Sequence, residues 1–256
     1  MKSSDACGCF PTGRHYPGIA HLLRVVAAGV AEEIPADASW IDEPIAFLDT
    51  ETTGRDPTLD RIVEIGIIIG RYGVVQARYN WLVNPGMPIP EAASAVHGIS
   101  DDDVRDAPRF EQIAADVLNA LQGAIPAAYN ANFDRSFLIQ EIKRMPHALS
   151  GSMPPAVRDG VEWLDPLVWA RHIQKYEKGK SLGEVTARMG IKLENAHRAS
   201  DDAEAALLVL YEFAKDSRVP RAYGQLVQEQ RRLGRMQEEE FARWRNRNPT
   251  PPTSSS

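Results

Sequence analysis

Apolar residues along the chain come in two rhythms. Short, nearly continuous runs, Ile45-Ala46-Phe47-Leu48 and Ile62-Val63-Glu64-Ile65-Gly66-Ile67-Ile68-Ile69, predict buried strands. Tyr72-Gly73 then predicts a turn, residues 74–83 a third strand that completes a meander, and residues 124–129 a short fourth strand. Elsewhere the spacing becomes helical. Ile113, Val117 and Leu121 mark a helix over 109–121 that Gly123 closes. Phe137, Leu138 and Ile142 share a face of a helix with Asn132 as N-cap. Further helices are predicted over 166–176, from a Ser181 cap to Gly190, and from a Ser200 cap through Leu207, Leu210 and Phe213. A short helix opened by Pro90-Glu91 and ended by Gly98 leaves His97 on a loop. A first helix over 19–34, stopped by Pro35, and a last one over 218–244 flank this middle; residues 1–18 and 248–256 read as disordered. Strands mixed with helices make an α/β domain.

The pattern breaks where charge enters it. In FLDTETTG, residues 47–54, the first apolar run gives way to Asp49-Thr50-Glu51. Residues two apart in a strand point to one face, so Asp49 and Glu51 project together and repel. A proton or a hard divalent cation would neutralise them; a solvated acidic turn is the other reading. Glu64 interrupts a buried run and is costly there unless paired or bound. Asp134 falls in the first turn of its helix, where the dipole favours a negative charge. His197 and Asp202 would lie about 140° apart on one helix, so His197 belongs to the loop before it and Asp202 to its first turn.

At 256 residues, 43% hydrophobic and 25% charged, the chain suits one globular domain with appendages. Its net charge of −6 excludes a surface coated throughout for nucleic acid but not a local patch. Eight arginines against four glutamates from Arg218 onward make a basic tail, either a solvated helix face or a polyanion site. Cys7 and Cys9 cannot frame a disulfide fold and suit a reducing compartment, hence the cytoplasm. Residues 19–31 are interrupted by His21 and Arg24 and suit an amphipathic helix better than a leader; no run reaches membrane-spanning length.

The motifs FLDTETTG, YNANFDRSFL and HRASDDAEAA, in that order, together with VNPGMPIPEAASAVHGIS, resemble the DEDDh (DnaQ-like) family of 3′→5′ exonucleases, which includes RNase T and the proofreading epsilon subunit of bacterial DNA polymerase III. The resemblance implies a ribonuclease H-like fold with a mixed five-stranded sheet flanked by helices; residues 161–165 are the candidate fifth strand. It covers roughly 44–215, giving an exonuclease domain over 44–217 between an N-terminal extension, 1–43, and an Arg-rich C-terminal helix and tail, 218–256. It also implies two Mg²⁺ or Mn²⁺ ions on Asp49, Glu51, Asp134 and Asp202, and His197 as general base. Imidazole suits that role because it titrates near working pH. Asp202 is preferred to Asp201 by the family spacing. Thr52 is implied at the 3′-hydroxyl through its amide, Glu64 at the terminal nucleotide, His97 in the nucleotide pocket and Phe133 as a stacking side chain. The implied reaction releases nucleoside 5′-monophosphates from single-stranded 3′ ends, of DNA first and RNA as runner-up. A non-catalytic nucleic-acid-binding module and an interaction protein built on the tail are the readings from other classes. A polymerase or a second copy as partner is left open, and a membrane is not expected.

Overall fold

The predicted strands form, and their lengths set the stage for the site. The structure, a computed structural model, describes residues 29–146, 152–192 and 197–248. Strand β1 (Ile45–Thr52) pairs antiparallel with β2 (Ile62–Arg71), and β2 with β3 (Val74–Leu82). Strand β4 (Ile125–Ala127) pairs parallel with β1, giving the order β3-β2-β1-β4. Among the described residues the sheet is mixed but has four strands rather than the expected five. At the fifth position only Leu164 engages, accepting from the Ala128 N–H and donating to the Pro126 carbonyl. Pro154 and Pro166 bracket this segment and a 3₁₀ turn (Pro155–Val157) precedes it, so little extended chain is left to pair.

Helices cover both faces. Helices α1 (Glu91–His97) and α2 (Asp101–Val104) pack beside β2 through Ile89, Ile99 and Val104. Helices α3 (Phe110–Ala120) and α4 (Asn132–Arg144) bury Ile113, Val117, Phe137 and Leu138 against Ala46, Leu48, Ile65 and Ile67. The opposite face carries α5 (Pro166–Ile173), α6 (Leu182–Met189), α7 (Ala199–Phe213) and α8 (Tyr223–Arg247). Helix α5 ends three residues before its expected limit and α8 begins five residues after, at the bend following Pro220. No helix among the described residues is long and apolar enough to cross a membrane.

Residues outside the expected 44–217 unit share its core. Val30, Ala31, Ile34 and Trp40 join Tyr223, Leu226, Val227 and Leu233 in one cluster with Phe47, Trp169 and Phe213. Residues 29–34 make turns rather than the expected helix, whose start lies outside the described residues, as do Cys7 and Cys9. Hydrogen bonds stitch the seam: Ala31 N–H donates to the Tyr223 hydroxyl at 3.1 Å, Trp40 Nε1 to the Pro220 carbonyl at 2.9 Å. Full burial of each large apolar side chain contributes roughly 1.5–3 kcal/mol, which makes this seam integral to stability.

Candidate active site

Two strands, two helix starts and one loop bring the acidic residues together. On β1, Asp49 stands opposite Gly66 and Glu51 opposite Glu64, all on the face that α7 covers. Thr50 points to the other face, and its hydroxyl donates to Asp134 Oδ1 at 2.8 Å. Asp134 reaches this point because β4 is short. Pairing with β1 stops at Phe47, so the edge from Leu48 onward is open on that side. The chain leaves the sheet through Asn130 in a left-handed conformation (φ 66°) and enters α4 there. Asp165 fixes the turn. Its carboxylate accepts from the Asn130 and Ala131 N–H groups at 3.0 and 3.1 Å and caps α5 through Leu167 N–H at 2.9 Å. The expected N-cap, Asn132, is instead the first residue of α4, after Ala131.

Helix α7 supplies the rest. It starts at Ala199 with Arg198 as its N-cap, two residues earlier than the expected Ser200 cap, and Asp202 still falls in its first turn. Its start lies directly on β2. A Cβ on Gly66 would sit 2.3 Å from the Ala199 carbonyl carbon and the Ser200 nitrogen, so only glycine permits this approach. His197 lies on the loop, exposed, with φ of 69°. A non-glycine residue in that region is strained unless its surroundings hold it. Here its N–H donates to Asp202 Oδ2 at 3.1 Å, and the next two residues are clamped by Glu64. Arg198 donates to Glu64 Oε1 at 2.6 Å, Ala199 N–H to Oε2 at 3.1 Å, and Asn80 Nδ2 to Oε1 at 2.9 Å. Glu64, expected at the terminal nucleotide, is thus 0% exposed and engaged from three sides.

Electrostatics mark the cluster as unfinished without a cation. Glu51, His197 and Asp202 each bring a ligand atom within 4.8 Å of one another. Among the described residues, Asp202 Oδ1 is buried with no hydrogen-bond partner. Burial pushes the Asp49 carboxyl well up, and the charges of Asp134, Asp202, Glu51 and Glu64 add to the push. Burial, then Asp202 and Glu64, raises Glu51 to about 8. Burial raises Asp134 to about 7 although the Thr50 hydroxyl opposes it, and burial raises Asp202 against the His197 N–H. Glu64 goes the other way: burial pushes it up, but Arg198, Asn80 and the Ala199 N–H outweigh this and leave its carboxyl below the ordinary range. Hard oxygen ligands with an unpartnered atom fit a divalent cation.

The remaining predicted residues lie around this centre. Thr52 is buried, its hydroxyl donating to the Gly54 carbonyl at 2.6 Å. His97 is the last residue of α1 rather than a loop residue; it is buried, and its Nδ1 accepts from Ile99 N–H at 3.0 Å. Burial lowers its pKa, against the Thr52 carbonyl and the Glu64 charge. Phe133 is half-buried and packs on Phe137, with centroids 4.9 Å apart. Asp201 is half-exposed in the first turn of α7. The sequence reading missed Gly66, Asn80, Arg198 and Asp165. A glycine inside a buried strand was the available signal for the first; the others act through contacts 16 to 134 residues apart.

The chain belongs to the RNase T family of exonucleases, whose family model matches residues 46–210, and its motifs are of the DEDDh type. Among curated relatives, a PolC-type DNA polymerase III of Thermotoga petrophila is 30% identical over 202 residues, 77% of this chain but 14% of the polymerase. Among solved structures, exonuclease X in complex with 5′ overhanging duplex DNA superposes with a TM-score of 0.55 at 25% identity, covering 72% of this chain and 99% of that one. Escherichia coli exonuclease I in complex with a dT13 oligonucleotide gives a TM-score of 0.59 at 20% identity, covering 68% and 41%. These likenesses agree with the ribonuclease H-like α/β fold.

Proposed function

We propose that the chain removes nucleotides from single-stranded DNA 3′ ends, with Asp49, Glu51, Asp134 and Asp202 holding two Mg²⁺ or Mn²⁺ ions. The convergence of Glu51, His197 and Asp202 from a strand, a loop and a helix carries the reading, with Asp49 and Asp134 alongside. Bound there, the cations would activate the attacking water and stabilise the leaving 3′-alkoxide. His197 accepts the proton of the attacking water. Its exposure leaves the imidazole reachable, and its strained backbone, tied to Asp202 and flanked by the Glu64 clamp, aims it. Glu64 serves as a positioning residue through Arg198 and Ala199, because its oxygens are already engaged. DNA is favoured over RNA by the likeness to a polymerase segment and to exonuclease X. A polymerase as partner rests on the first of these likenesses alone.

Degradation of 5′-labelled DNA and RNA oligonucleotides of matched sequence, with Mg²⁺, Mn²⁺ or EDTA, tests this. We expect a metal-dependent ladder shortening from the 3′ end, faster on DNA. A folded, metal-loaded chain that shortens neither strand would sink the catalytic reading, and a faster RNA ladder would reassign the substrate.

A further inference from the structure

Helices α5 and α8 leave a groove of about 740 Å³ beside the last turns of α8. Cations and rings line it together. Arg171, Lys175 and Lys180 face a single lining carboxylate, Glu240, and the apolar side joins Leu233 and Met236 to the rings of Phe241 and Trp244. Trp244 is 62% exposed, too much for a residue that only fills a core. The Arg171 guanidinium lies over the Phe241 ring, 5.1 Å from its centroid, which holds ring and charge in one orientation. Such a mixture matches a strand of nucleic acid, since phosphates need cations and unstacked bases need flat faces. A purely apolar helix face would leave Arg171 and Lys175 without partners, while Lys180 Nζ already donates to the Glu177 carbonyl.

The groove lies at the C-terminal end of α5, one helix length from the end that adjoins the entry to α4. Helix α5 begins at the Asp165 cap that fixes the entry to α4, and its eight residues span roughly 12 Å. Along the same helix pair, a second cleft of about 380 Å³ is lined by Asn132, two residues before Asp134, and by Arg235 of α8.

We infer that this groove is a second binding site for single-stranded nucleic acid, holding the strand several nucleotides upstream of the 3′ end. The inference rests on the exonuclease reading for the identity of its occupant but not for its measurement. Fluorescence anisotropy of the full chain with a 5′-labelled dT12 in EDTA reads the groove without hydrolysis. Trp244→Ala is expected to weaken dT12 binding roughly tenfold, the loss of one stacked base. The double variant R171A/K175A is expected to weaken it similarly and to lower the logarithmic salt slope by roughly 1.4. With Mg²⁺, both variants are expected to lose rate on dT12 but to cut dT3 at nearly the wild-type rate, as a site upstream of the reacting end requires. Unchanged dT12 affinity in both variants overturns the site. So does unchanged affinity with altered self-association by sedimentation, which would assign the groove to a second copy. A wild-type chain that binds dT12 in this groove-dependent way and cuts neither oligonucleotide would overturn the catalytic reading while leaving the groove intact.

Discussion

The two ends of the α7-covered face are built on opposite principles. At one end Asp49, Glu51 and Asp202, half-buried, crowd against the buried Asp134, their carboxyls pushed toward protonation, beside a strained His197. At the other, the 29–41 segment and α8 close over Trp40, Trp169 and Phe213 with neutral hydrogen bonds and apolar contacts. The first end spends folding stability on chemistry; the second supplies it. The contrast teaches that a site this repulsive persists only where rigid packing nearby compensates, and it predicts that damage at the two ends will be read by different measurements.

The sharpest way to break the contrast is at Asp49. We expect Asp49→Ala to lower turnover on a labelled oligonucleotide about a thousandfold or more while circular dichroism stays unchanged. Its melting temperature in EDTA should rise, since one repelling charge is gone; a fall would mean that Asp49 is structural. His197→Ala should cost roughly 10²–10⁴-fold in kcat with no change in melting temperature, because the side chain is exposed.

At the other end Trp40→Ala should cost about 3–5 kcal/mol in denaturant unfolding, leaving the turnover of folded molecules at low temperature unchanged. Gln230 links the two ends and should show both effects in smaller measure. Its Oε1 accepts from Asp165 N–H at 2.8 Å and Trp169 Nε1 at 3.2 Å, and its Nε2 donates to the Trp163 carbonyl. Gln230→Leu strands these buried groups, at about 1–3 kcal/mol, and loosens the Asp165 cap that places Asp134. A stability loss with unaltered kcat would show the ends to be independent.

The pH dependence sharpens the comparison further. Folded Glu51 and Asp134 keep protons up to about 8 and about 7, whereas in the unfolded chain their carboxyls ionise near 4.5 and 3.8. Their cost is therefore absent at low pH and grows as pH rises between the unfolded and folded values. In EDTA the melting temperature should fall by about 5 °C or more from pH 5 to pH 8, and Mn²⁺ should restore more of it at pH 8 than at pH 5. A flat profile would show that these carboxyls are not strained.

The candidate ligand set came from the family resemblance, and local periodicity supported parts of it. Strand alternation puts Asp49 with Glu51, and the helical period separates His197 from Asp202. The meander was legible from periodicity. What could not be read is non-local. Glu64 looked available because its partners, Arg198 and Ala199, lie 134 and 135 residues away. The fifth strand shrank to a bridge because prolines on both sides shorten it, and α8 looked like a solvated tail because its many Arg, Gln and Glu residues outweigh Tyr223, Leu226, Val227 and Leu233 in composition. A chain cut to 40–217, reasonable from the motifs, would expose that whole apolar face.

The Ala31–Tyr223 hydrogen bond spans 192 residues, and this has a consequence for synthesis. Closing so long a loop is entropically slow, so the seam is expected to zip after the β1–β2 hairpin. While a ribosome still holds α8 in its tunnel, Trp40, Trp169 and Phe213 lack the part of their cover that α8 supplies, and the nascent chain is a natural client for a chaperone. Pulse-labelled hydrogen exchange would settle the order: protection at Ala31 and Tyr223 that arises together with Ile67 and Leu48 would contradict it.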